Sequence, residues 1–153
     1  MNYTLELVCV PVRDVDRAKA FYAEQLGFVV DHDTTVSADA RIVQLTPPGS
    51  GCSICIGNDM VDMEPGSLKG LQLVVNDVVA ARAELASRGV AVSAVQVYGR
   101  DGLRPYEEGE ELNNVGFSSF DDADGNGCVP LVAVLVSGLF TRSRLPVVRR
   151  MAA

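Results

Sequence analysis

The chain contains no tryptophan and one histidine, His32, and aromatic residues make up 6% of its length. A lone histidine excludes a two-histidine metal site or a His-paired catalytic dyad within a single chain. Positive charge is scarce: 13 Lys and Arg stand against 20 Asp and Glu, a net charge of −7. That balance opposes binding to phosphate backbones and anionic lipid surfaces, so neither nucleic acid nor a membrane is expected as a partner. Nowhere do apolar residues run for the roughly 18–20 positions of a bilayer span. Met1-Asn2-Tyr3-Thr4-Leu5-Glu6 lacks the basic start and apolar stretch of a secretory signal, so a cytoplasmic location is expected. In that setting Cys9, Cys52, Cys55 and Cys128 read as reduced thiols rather than a disulfide framework.

What is present describes a globular protein. Of 153 residues 48% are hydrophobic and 22% charged, enough for a chain of 16.3 kDa to bury a core without disulfide or metal support. Residues 5–12 form a valine-rich strand, and Asp14 caps a helix over 16–26, where Ala18, Phe21, Tyr22 and Leu26 recur at helical spacing and Gly27 ends it. Strands follow at 28–33, 41–46 and 52–56, the last two joined by Pro47-Pro48-Gly49-Ser50-Gly51. A polar linker spans 58–69. The same order then returns: a strand at 70–75, Asp77 as cap, a helix over 78–88 ended by Gly89, a strand at 90–97, a long loop at 98–114, and strands at 115–120 and 128–136.

The return is a repeat. At an offset of 63 residues Val12, Asp14, Val15, Ala18 and Ala20 fall on Val75, Asp77, Val78, Ala81 and Ala83; at an offset of 76, Gly49, Gly51 and Cys52 fall on Gly125, Gly127 and Cys128. The expected fold is therefore α+β: two paired β-α-β-β-β modules, at 1–57 and 70–136, forming a curved mixed sheet around a cleft suited to a small ligand. Residues 137–153 follow as a basic tail carrying Arg142, Arg144, Arg149 and Arg150.

The segment from Leu7 to Tyr22, with Leu26-Gly27-Phe28 after it, resembles the opening of the vicinal oxygen chelate superfamily. Phe120-Asp121-Asp122-Ala123-Asp124-Gly125-Asn126-Gly127 resembles its closing turn, with Ala123 where proline is usual. That superfamily includes glyoxalase I, extradiol dioxygenases, fosfomycin-modifying thiol transferases and bleomycin-binding proteins. The resemblance implies metal ligands on the first and last strands of each module, at Leu7, Ser53, Gly70 and Val129. Leucine and valine have no donor atom, glycine has no side chain, and a neutral serine is a poor ligand for Zn, Ni, Mn or Fe, so no metal and no cofactor is expected. A one-residue slip would bring in Glu6, but alternation aims it at the helix-covered face with Val8 and Val10.

Other groupings have plainer readings. His32 sits between Asp31 and Asp33 as a rim residue. Cys52 and Cys55 have metal-knuckle spacing, yet three residues apart on a strand they point to opposite faces. Asp122, Asp124 and Asn126 match the start of a calcium loop, but Ala133 stands where its closing Glu belongs, so a hairpin turn is expected. Glu107, Glu108, Glu110 and Glu111 make a solvated loop, or a lid favouring cations; Asp101, Arg104 and Tyr106 share that loop.

Alternation puts Cys9 on the cleft face with Leu7, and Gln72 and Val74 with Gly70. Gln44, polar within an apolar strand, needs a partner if buried. Cys9, Gln44 and Gln72 are thus the candidate binding residues of a mainly apolar cleft suited to an uncharged or weakly polar organic molecule. The expected function is metal-independent binding of that molecule, for sequestration or delivery, as in bleomycin-resistance-like proteins. A lyase, isomerase or dioxygenase with unusual ligands is the alternative. The resemblance also implies a homodimer.

Overall fold

The computed structural model describes residues 1–38, 40–58 and 60–132. The first module comprises β1 (Leu7–Pro11), α1 (Val15–Ala20) continued by a π-helical turn over Phe21–Gln25, β2 (Val29–Ser37), β3 (Ala40–Thr46) and β4 (Ser53–Gly57). The second comprises β5 (Leu71–Val75), α2 (Val78–Ser87), β6 (Gln96–Gly99), β7 (Gly102–Pro105), β8 (Gly116–Phe117), β9 (Phe120–Asp121) and β10 (Gly127–Val132).

The repeat survives in the topology. One sheet is ordered β1-β4-β3-β2 and the other β5-β10-β8-β6-β7, with β9 paired to β10. In each, the first strand lies parallel to the last, and the remaining pairs are antiparallel. A parallel pair needs a crossover, which is what each capped helix begins. Asp14 Oδ1 accepts from the Arg17 N–H at 3.0 Å, and Asp77 Oδ1 from the N–H groups of Val79 and Ala80 at 2.8 and 3.0 Å. Past each helix a glycine takes the left-handed conformation, Gly27 at φ 75° and Gly89 at φ 82°.

The α+β class and the two modules are as expected, and each module closes its own sheet. Several local assignments differ. Of the 90–97 segment only Gln96 and Val97 are strand, the start of β6; Val90 and Val95 are buried core residues on the connection that leads to it. The presumed loop at 98–114 contains β7, which folds back on β6, and 115–120 holds two short strands instead of one. The tail at 137–153 and the end of the last strand lie outside the described residues.

Alternation turns Val10 inward from β1, joining Ala18, Tyr22, Phe28, Val43, Leu45, Ile54 and Ile56 in the first core. Val90, Phe120 and Cys128 form a second, and Phe21, Leu26, Leu71 and Leu73 pack against both. The helix-covered faces of the two sheets therefore share one interior, so their opposite faces are turned away from it.

Polar contacts lock this arrangement. Asp122 Oδ2 accepts from the Tyr22 hydroxyl and from Asn126 Nδ2, each at 2.8 Å, while its Oδ1 accepts from the N–H groups of Asp124 and Asn126 at 2.9 and 2.8 Å. Asn126 Nδ2 also donates to the Pro11 carbonyl at 2.8 Å, and Arg17 Nη2 to Asp124 Oδ1 at 2.6 Å. The segment that opens like a calcium loop is thus a turn whose carboxylates hold the first module. Burial, then the neighbouring Cys128 and Asp122, raises the Tyr22 phenol far above its ordinary range.

Candidate functional site

The faces turned away from the shared core carry the candidate site. On the first sheet the register sets Cys9 opposite Cys55, Cys55 opposite Gln44, and Gln44 opposite His32, one row across all four strands. Beside it runs a hydrogen-bonded strip. Gln44 Nε2 donates to Ser53 Oγ at 3.0 Å, the Ser53 and Thr46 hydroxyls are 2.7 Å apart, and Thr46 Oγ1 donates to Asp31 Oδ2. Gln44 has the partner its position requires, and Ser53 Oγ is already engaged on two sides. The β2–β3 register shifts between Val30 and His32, and Asp31 lies within that irregularity. Asp33 serves the opposite face: Arg41 and Lys19 bind its carboxylate and hold it well below the usual range.

On the second sheet Val74 is opposite Leu131, Leu131 opposite Phe117, Phe117 opposite Gln96, and Gln96 opposite Pro105. Gln72 pairs with Val129, and Tyr98 with Leu103. This face is apolar and open: Val74, Tyr98 and Leu103 are 55%, 44% and 58% exposed. Cys9 and Gln44 therefore share one face, whereas Gln72 lies on the other sheet beside Leu71 and Leu73, which point into the shared core. One chain does not bring the three together. Gln72 and Val74 also line a groove of about 470 Å³ along the β5 edge, with Phe28, Leu73, Leu85 and the 47–50 turn.

The superfamily's metal positions do not form a donor set. Leu7 pairs with Ser53, and Val129 pairs with Gln72, two residues past Gly70, whose N–H bonds to the Gly127 carbonyl before β5 starts at Leu71. Leu7, Ser53, Gln72 and Val129 supply one hydroxyl, already bonded, and one neutral amide, which does not suit a divalent transition metal. Among the described residues no group of three or more His, Cys, Asp or Glu is placed to hold a metal.

In the acidic loop Glu110 is clamped by Arg104, with contacts of 2.9 and 2.5 Å, and receives the Glu107 N–H; these hold its carboxyl down at about 2. Glu107, Glu108 and Glu111 are exposed. Sequence reasoning missed Ser53 as the partner of Gln44, Thr46 and Asp31 as the continuation of that strip, and Tyr98 and Leu103 as part of an open face. The signal for the latter was Arg100-Asp101 between Gly99 and Gly102, a two-residue hairpin loop.

A family model described as bleomycin resistance protein-like N-terminal matches residues 7–35. No curated protein matches the chain. Among solved structures, TnmS3, an antibiotic binding protein from Streptomyces sp. CB03234, is 32% identical with a TM-score of 0.67, over 86% of this chain and 96% of that one. A glyoxalase/bleomycin resistance protein from the same organism is 33% identical with a TM-score of 0.64, over 84% and 99%. A member of the glyoxalase/bleomycin resistance protein/dioxygenase superfamily from Sphaerobacter thermophilus is 23% identical with a TM-score of 0.68, over 86% and 98%, a likeness of fold.

Proposed function

This chain belongs to the glyoxalase/bleomycin resistance protein family of the vicinal oxygen chelate superfamily, and from that premise we propose that it binds a small organic molecule without a metal, sequestering or delivering it in the cytoplasm. The observation that carries the reading is the contrast between the open faces. One offers the Gln44–Ser53–Thr46–Asp31 strip beside Cys9, and the other offers exposed apolar side chains with Gln72 among them. A ligand site needs both an apolar body and a few fixed polar groups. A homodimer that sets the first sheet of one protomer against the second sheet of its partner supplies both to one cleft, and it covers Val74, Tyr98 and Leu103, which one chain leaves in water. The description of one relative as antibiotic binding directs attention to antibiotics and similar organic molecules.

The test is a thermal-shift screen of the purified protein against antibiotics and metabolites, with and without a chelator. Ligand at 100 times its Kd should stabilise the folded state by about 2.7 kcal/mol, equally in both conditions. Binding that appears only with added Zn, Ni, Mn or Fe, or turnover of the bound molecule, would replace this reading with that of a lyase, isomerase or dioxygenase.

A further inference from the structure

Three sulfur atoms gather on the outer face of the first sheet, and the small-molecule reading does not require this grouping. Cys9 and Cys55 are direct partners in the parallel β1–β4 register, so their side chains leave the same face from strands about 4.8 Å apart. Met60 supplies the third: its Sδ lies 3.7 Å from Cys55 Sγ. The thioether lies over Gly57, two residues beyond Cys55 on the same face of β4, where a Cβ would collide both with Met60 Sδ and with the Arg41 backbone carbonyl. Two sulfur donors held about 2.3 Å from one ion at trigonal or tetrahedral angles stand about 3.7–4.0 Å apart, a range that includes the 3.7 Å between Cys55 Sγ and Met60 Sδ.

We propose that Cys9, Cys55 and Met60 form a site for the soft monovalent cation Cu(I), bound by two thiolates and one thioether. Soft sulfur ligands select Cu(I), whereas a closed Zn site takes four donors and seldom a thioether. On binding, two Cys S–H bonds break, two S–Cu bonds form, and two protons pass to water with no change of oxidation state.

The probe is Cu(I) itself, titrated anaerobically into the reduced full-length protein against bathocuproine disulfonate and read from the chelator's absorbance. One Cu(I) per chain should be retained. Cys9→Ser should weaken retention by at least about 100-fold, and Met60→Leu by about tenfold. Cys52→Ser, which leaves all three sulfurs of the site in place, should change nothing. Circular dichroism of each variant separates a lost site from a lost fold. Loss of all Cu(I) to the chelator by the unaltered protein, Zn(II) held more tightly than Cu(I), or equal retention by folded Cys9→Ser and Met60→Leu variants would each overturn the proposal.

Discussion

The Tyr22 hydroxyl donates to Asp122 Oδ2 at 2.8 Å across 100 residues of sequence, from the helix of one module to the closing turn of the other. Tyr22 is fully buried, and Asp122 is also held by Asn126, which in turn reaches the Pro11 carbonyl. A buried donor to a carboxylate is among the stronger hydrogen bonds a fold makes. Tyr22→Phe should therefore lower stability by about 1.5–3 kcal/mol in urea unfolding. A loss under about 0.5 kcal/mol would show that apolar packing alone joins the modules.

The face assignment of the strands is open to a paired test. Val10 is 2% exposed within the first core, so Val10→Asp would bury an unpaired carboxylate and should abolish cooperative unfolding. Gln72 is exposed on the far side of β5, so Gln72→Leu should keep the melting profile and alter ligand affinity by about 0.5–1.5 kcal/mol, the net contribution of one hydrogen bond. A normal melt for Val10→Asp with collapse of Gln72→Leu would show a register error of one residue.

Alkaline stability depends on Cys128, whose thiol is pushed up from 9.0 to about 12, by burial first and by Asp122 and Asp121 next. Below pH 9 the thiol is neutral in both states and contributes no pH dependence. Above that, the unfolded chain releases the proton while the folded chain keeps it, so stability falls by at most about 1.4 kcal/mol per pH unit until the folded thiol also ionises. Cys128→Ala should make this limb shallower from about pH 9, the raised Tyr22 phenol supplying the slope that remains above about pH 10, in chemical denaturation series; an unchanged slope would remove Cys128 as a source.

Leu103 tests the assembly without touching the core, since it stands 58% exposed on the outer face of β7. Leu103→Arg should leave the monomer fold intact but place a desolvated charge in the dimer contact, costing several kcal/mol. Light scattering should return a dimer for the natural chain and 16.3 kDa for the variant. A 16.3 kDa particle for both, at every concentration, would remove the dimer and with it the shared cleft.

Much of the fold was legible because its signals are local. Asp14 and Asp77 announce the two helices through cap bonds confined to one turn, and Gly27 and Gly89 end them for a steric reason that acts within a single residue. Alternation placed Val10 inward and Cys9 outward without any knowledge of the partner strand. Val90 and Val92 misled the same reasoning: an apolar run reads as strand, yet these residues pack on the second core before the strand begins at Gln96. The β6–β7 hairpin hid because its strands hold Gly99, Gly102 and Pro105, whose low strand propensity is overridden by pairing with a neighbour.

By itself the sequence determined the duplicated module, the helix caps, the faces of the first strands and the lack of donor atoms at Leu7 and Val129, since each follows from residue type, spacing or period. The tertiary structure alone decided which faces meet. It turned the helix-covered faces toward one interior, set Gln72 opposite Val129, gave Gln44 its Ser53 partner, and folded Met60 over Gly57 beside Cys55. Pairing register and the approach of distant segments depend on loop lengths and on packing summed over the whole chain, and no window of residues contains that sum.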